Sequence, residues 1–204
     1  MSEGERARLF VALELPAPTR RALVRWRDDL IASSGLGVRA VPAESLHVTL
    51  CFLGWCAVDE MTAIANACGV VTAWPAVSLS VGPAKWLPPR RPRVLAVELS
   101  DLDGRLARVQ AALSDVLSAG GWYVPEQRPF YAHVTVARVP KGARMRRAEL
   151  PATDRASFSG DVVTLYCSRL GRGGAVYEPL ASVHLGSASS RASNATFGEP
   201  RPET

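Results

Sequence analysis

The chain lacks a Cys-x-x-Cys pair and has no His-Cys cluster at zinc spacing. Its four cysteines, Cys51, Cys56, Cys68 and Cys167, are scattered. That spacing excludes a zinc ribbon or a dithiol redox centre and predicts small buried thiols. No apolar run approaches the roughly 20 residues that cross a bilayer, so no membrane partner is expected. Glu3, Glu5, Arg6 and Arg8 precede a short apolar run that stops at Pro16. This is not the pattern of a signal peptide, and the expected location is the cytoplasm. The glycine cluster Gly171-Arg172-Gly173-Gly174 lacks the Lys-Ser/Thr of a phosphate-binding loop, which argues against nucleoside-triphosphate binding there. Histidine is scarce, with only three in 204 residues, at 47, 133 and 184.

What is present suits one domain, or two closely packed lobes, with enough chain to bury a core. Basic residues outnumber acidic ones by 24 to 19, for a net charge of +5. The charges beyond Gly186 cancel (Arg191 and Arg201 against Glu199 and Glu203), so the excess belongs to the folded part. Basic clusters stand at Arg90-Arg91-Pro92-Arg93 and at Lys141 with Arg144, Arg146 and Arg147. Such a surface favours a polyanionic partner, although charge alone fits a plain solvated surface equally well.

Periodicity predicts strands over residues 9–15, 75–81, 93–99, 161–167 and 175–185, and helices opening near Thr19 and spanning 59–72 and 102–118. Thr19 is the predicted cap of the first helix. The third has the clearest apolar stripe, from Leu102 to Leu117, and Gly120-Gly121 stops it. Residues 85–92 read as a loop containing Trp86, and 141–159 as a polar connection. Residues 187–204, rich in Ser, Ala, Pro and Gly, read as a disordered tail.

The informative stretch is Leu46-His47-Val48-Thr49-Leu50, because the chain repeats its core in His133-Val134-Thr135-Val136. Both copies sit in β-branched, apolar surroundings that read as strands. Alternate side chains of a strand share a face. Each strand therefore buries Val48 and Leu50, or Val134 and Val136, and presents an imidazole and a hydroxyl on its other face. A single histidine in a strand is usually a core residue without chemistry. Two of the chain's three histidines in one repeated pattern point instead to a shared function.

Leu46-His47-Val48-Thr49-Leu50 with Phe52-Leu53-Gly54, and His133-Val134-Thr135-Val136-Ala137-Arg138, resemble the paired motifs of the 2H phosphoesterase superfamily. Within it the chain is most similar to the RNA 2′,3′-cyclic phosphodiesterase family, also called 2′-5′ RNA ligases. The resemblance extends from Arg8-Leu9-Phe10-Val11-Ala12-Leu13 through Pro92-Arg93-Val94-Leu95 to the segments around Ser168 and Tyr177. One departure is Ala132, where the family commonly has proline. The resemblance implies an α+β fold of two pseudo-symmetric lobes, each an antiparallel sheet backed by helices. A central cleft between them would carry the two His-x-Thr strands. A single bilobal domain over residues 1–186 is expected, acting as a monomer without a cofactor.

Hydrolysis of a cyclic phosphate needs a base for the water, an acid for the departing oxygen and donors for the phosphoryl oxygens. Base and acid must lie on opposite sides of phosphorus. Two imidazoles with ordinary values near 6.5 can share those roles near neutrality. His47 and His133 are the candidate catalytic pair. Thr49 and Thr135 are candidate phosphate donors, as is Arg138, whose planar fork suits phosphate. Arg138 is the fifth residue after His133, so strict alternation would turn it to the wrong face. The strand must bend for it to reach the cleft. Phe130, Tyr131 and Trp86 are candidate base contacts, and Arg93 and Ser168 match family positions. No metal is expected. A three-histidine site would have to recruit His184, which lies outside the motif.

The resemblance implies that His47 donates the proton, that His133 accepts one, and that a 2′-phosphate remains. The expected partner is RNA with a 2′,3′-cyclic phosphate end, tRNA fragments among the candidates. The same residues would serve a small cyclic nucleotide, a cyclic phosphate of ADP-ribose or a 2′-5′ oligonucleotide. A non-catalytic RNA-end binding module is the remaining alternative.

Overall fold

The computed structural model describes residues 5–142, 149–171 and 174–186, with the backbone alone at Leu170 and Gly174. The expected tail at 187–204 and the basic residues Arg144, Arg146 and Arg147 lie outside the described residues.

The chain runs β1 (Arg6–Glu14), α1 (Ala17–Ser34), β2 (Arg39–Ala40), β3 (His47–Ala57) and α2 (Met61–Ala67). Next come β4 (Val77–Leu87), β5 (Val94–Ser100), α3 (Arg105–Ala119) and β6 (His133–Arg138). It ends with β7 (Ser157–Gly160), β8 (Val162–Gly171) and β9 (Gly174–His184). Among the described residues these strands form one antiparallel sheet in the order β7-β4-β5-β6-β3-β1-β8-β9, with β2 added alongside β6. The two lobes are the halves of that sheet, joined between β3 and β6 at Val48 and Val134.

The lobes are not the two halves of the sequence. β1 and β3 share a lobe with the C-terminal strands β8 and β9, and the middle of the chain supplies the other lobe. The helices cross over as well. α1 packs on β6, and its Trp26 Nε1 donates to the Ala152 carbonyl at 3.1 Å. α3 packs on β3, where Gln110 Nε2 donates to the Leu50 carbonyl at 3.4 Å. Burial of the strands' apolar faces against these helices is the main favourable term holding the sheet together.

α3 begins later than its periodicity predicts. Gly104 takes φ 65°, a conformation that only glycine adopts cheaply. Asp101 and Asp103 accept from the Ala107 and Arg105 amides, both at 2.9 Å. Leu102 therefore falls outside the helix and is exposed, while Leu106, Val109, Leu113 and Leu117 form the buried stripe. Thr19 does not cap α1 either. The helix starts earlier, at Ala17, and Thr19 is buried within it. Trp86 belongs to β4 rather than to a loop, and β7 forms within the predicted polar connection.

Candidate active site

The motif strands meet side by side. Antiparallel pairing of Val48 with Val134 puts His47 opposite Thr135 and Thr49 opposite His133, all four on one face. The two imidazoles are thus diagonal across the junction. In a regular ladder diagonal neighbours stand about 7–8 Å apart, their Cβ atoms somewhat less, and both imidazoles line the same cavity.

Both strands then break their alternation in the same way. On β6, Ala96 pairs with Thr135 but Leu95 pairs with Ala137, so Val136 is an extra residue in a β-bulge. On β3, Ala12 pairs with Thr49 but Val11 pairs with Cys51, so Leu50 is the extra residue. Consecutive buried residues follow in each strand, Val136-Ala137 and Leu50-Cys51. The bulge supplies the bend that Arg138 requires, and Arg138 lines the cleft with both histidines.

The cleft holds a cavity of about 330 Å³. His47, His133, Thr49, Thr135 and Arg138 line it, joined by Arg8 and Arg39. Arg39 is the cross-strand partner of Arg138 through β2. No Asp or Glu lines this cavity among the described residues. Its chemistry is that of an anion site: guanidinium forks, hydroxyl donors and imidazoles.

Each imidazole is held by the backbone two residues before it. His133 Nδ1 donates to the Tyr131 carbonyl at 2.8 Å, and the His47 ring is hydrogen-bonded to the Ser45 backbone. A ring that donates through Nδ1 has Nε2 left for chemistry. His47 Nε2 lies 3.2 Å from Thr49 Oγ1. Aromatic rings back both groups. Phe10 stacks on His47 at 4.9 Å with Tyr177 edge-on at 5.3 Å, and Tyr131 stacks on His133 at 5.3 Å. Arg138 reaches the Tyr177 hydroxyl at 3.4 Å.

Desolvation by this packing lowers the His47 value to about 4, with Arg138 and His133 adding repulsion against the hydrogen bond to Ser45. The folded protein therefore holds His47 neutral at pH 7. Because the folded value lies below the ordinary 6.5, the unfolded chain takes up this proton first on acidification. The contribution to stability is complete above about 6.5 and is lost as pH falls toward about 4. Urea titrations across that window should show a steeper acid loss for the wild type than for His47→Gln. Equal slopes would refute a desolvated His47.

The other sequence candidates divide. Ser168 lines the same cavity and is buried. Phe130 and Tyr131 line a second cavity of about 950 Å³ that adjoins the first through Thr49, Phe52 and His133. Trp86 lines neither cavity. It is 9% exposed and packs in the core, so it has no face to offer a base. Arg93 also lines neither. Its amide donates to the Leu87 carbonyl and its carbonyl accepts from the Val139 amide, both at 2.8 Å, so its backbone ties strand ends together. His184 pairs with Asp161, Nδ1 to Oδ2 at 3.6 Å, and lines neither cavity. Among the described residues no three His, Cys, Asp or Glu side chains form a cluster that could hold a metal.

Sequence reasoning gives no role to Arg8, Phe10, Arg39, Phe52 or Tyr177. Arg8 and Phe10 share a face of β1, but only the pairing of β1 with β3 turns that face to the cleft. Arg39 lies in the two-residue strand β2, which reaches the cleft only through its pairing with β6.

Comparison with known proteins gives concordant matches. The model of the 2′-5′ RNA ligase superfamily matches residues 15–173. A protein of Escherichia coli K12 named RNA 2′,3′-cyclic phosphodiesterase is 30% identical over 88% of this chain and 96% of its own length. A relative of the same name from Aeropyrum pernix is 30% identical over 81% of this chain and 96% of its own length. Among solved structures, E. coli LigT complexed with 3′-AMP is 28% identical, with a TM-score of 0.75 over 89% of this chain and 99% of that one. A Thermus thermophilus protein is 25% identical, with a TM-score of 0.74 over 88% of this chain and 98% of that one.

Proposed function

The chain belongs to the 2′-5′ RNA ligase superfamily, and we propose that it opens RNA 2′,3′-cyclic phosphate ends to 2′-phosphomonoesters through its two histidines, without a metal. The observation that carries this reading is the diagonal pair of imidazoles across the Val48–Val134 junction, in a cavity lined by arginines and no carboxylate among the described residues.

In this mechanism Arg138, Thr49 and Thr135 hold the non-bridging oxygens of the cyclic phosphate. One Nε2 takes a proton from water as the water oxygen attacks phosphorus. The other Nε2 gives a proton to the ribose O3′ as the P–O3′ bond breaks. The products are a 2′-phosphate and a free 3′-hydroxyl. Charge developing on the phosphoryl oxygens is met by donors already in place.

His47 is the donor in this scheme and His133 the acceptor. Since the folded protein holds His47 neutral at pH 7, the donor role requires that the bound anion bring a proton with it. Desolvation is the main cause of the low value and repulsion from Arg138 a lesser one, so the bound anion must itself favour the charged ring against both. Sulfate, which does not titrate in this range, should bind more tightly as pH falls from 8 to 5, with a proton taken up on binding. Proton uptake that disappears in His47→Gln supports this assignment; uptake that persists in that variant puts the proton on His133 and reverses the two roles, the reading that the low His47 value favours.

The four cysteines, all free and buried, suit the reducing cytoplasm where we place the protein, working as a monomer. No helix among the described residues is long and apolar enough to cross a membrane. The test is turnover in chelator. Purified protein in EDTA should convert a cyclic-phosphate RNA end to a 2′-monoester. Intact substrate after long incubation would favour a binding module, and activity that only added divalent metal restores would refute the mechanism.

A further inference from the structure

The burial pattern of β3 from His47 to Phe52 is the same, residue for residue, as that of β6 from His133 to Arg138. Each segment runs histidine, buried residue, threonine, bulged buried pair, exposed residue. The local symmetry that sets Arg138 in the cleft therefore sets Phe52 at the equivalent point of the other strand. One arm ends in a guanidinium and the other in an apolar ring. Phe52 is 44% exposed, although a phenyl ring gains by leaving water. The Arg8 guanidinium covers it at 4.7 Å from the ring centroid. Arg8 lines only the histidine cavity, whereas Phe52 lines both cavities. The ring stands at the boundary of the two cavities, beside Thr49 and His133, with the cation on the histidine side.

Beyond that boundary lies the larger cavity. Tyr131, stacked on His133, stands in its lining, and Lys85 lies over the Tyr131 ring at 5.8 Å from the centroid. Lys85 is paired with Glu98. Arg128 is exposed and lines the same cavity, together with Glu126. The cavity thus offers aromatic faces next to the histidines and cationic groups in the same lining.

We infer that Phe52 is a specificity residue: it stacks the terminal base of the substrate, and the adjoining cavity receives that nucleoside with the next phosphate of the strand near Arg128. This rests on the hydrolase reading above and makes the preferred substrate a polynucleotide end rather than a free cyclic nucleotide. Stacking on an aromatic ring is tolerant of base identity because every base has a π-face. The pocket therefore selects a strand end without selecting its sequence.

The test compares three cyclic phosphates: an RNA oligonucleotide end, the matching mononucleoside 2′,3′-cyclic phosphate, and glycerol 1,2-cyclic phosphate, which has no base. Wild-type kcat/KM should fall in that order. In Phe52→Ala the ratio of mononucleotide to glycerol phosphate should shrink about tenfold or more, and Phe52→Trp should restore it. In Arg128→Ala the ratio of oligonucleotide to mononucleotide should shrink. Ratios unchanged in Phe52→Ala would overturn the inference while leaving the hydrolase intact. Binding of an oligonucleotide 2′-phosphate, measured by calorimetry, gives a readout without turnover. Loss of that binding in Phe52→Ala supports the pocket even if no substrate is hydrolysed. Equal binding by both proteins counts against it.

Discussion

Replacing His133 by alanine should lower kcat/KM on a cyclic-phosphate RNA end by at least about a hundredfold, the usual consequence of losing a general acid or base. The ring lies on the cleft face of β6 and is only half-buried, so its removal opens no core cavity. Its supports are the Tyr131 carbonyl and the Tyr131 ring, and both remain in the variant. A melting temperature close to wild type should accompany the loss. His133→Gln should not rescue, because an amide can hydrogen-bond but cannot take a proton near neutrality. Activity within about tenfold of wild type in either variant would remove His133 from the mechanism. His47→Ala should show a loss of similar size, but with a stability effect, since Phe10 and Tyr177 pack on that ring.

Arg138→Ala should cost about a hundredfold to a thousandfold in kcat, the range for removing one preorganised donor from a developing oxyanion. Arg138→Lys should recover only part, because an ammonium cannot reproduce the bidentate fork. The loss should appear in kcat more than in KM. In the proposed mechanism Arg8 and Arg39, which also line the cavity, remain to attract the phosphate in the ground state, while Arg138, brought in by the bulge at Val136, acts as charge builds. A change confined to KM would make Arg138 a plain binding residue. The Tyr177 hydroxyl lies 3.4 Å from its guanidinium, so Tyr177→Phe should alter the aim of Arg138 without altering its charge, with a smaller loss in kcat.

Much of this site is legible in the chain. The repeated His-x-Thr pattern names two strands, and period-two alternation says which side chains point together. The alternation also exposes its own failure at Arg138, where five steps cannot end on the same face. The bulge that resolves it depends on how Leu95 and Ala96 pair with β6, and pairing is a property of the neighbouring strand. Arg39 and Tyr177 are invisible as site residues in the sequence for the same reason, since their strands reach the cleft through register with distant partners, and Phe52 is hidden because the bulge at Leu50 depends on pairing with β1. The crossing of the helices, and the union of β1 and β3 with the last two strands, are also long-range facts that no local window carries. Trp86 shows the converse. Its size and its basic neighbourhood suit a nucleic-acid contact, yet an aromatic in an alternating strand is more readily buried, and there it lies.

The proposed chemistry requires one phosphoryl group to fit between two imidazoles that approach from opposite sides. A crystal structure of the protein with a nucleoside 2′-phosphate bound measures this directly. The predicted result has Nε2 of His47 and Nε2 of His133 each within hydrogen-bond reach of a different oxygen on that phosphorus, on opposite flanks, with Arg138 on a third. A phosphate that contacts only one of the two rings, or that settles outside the cleft, would contradict it.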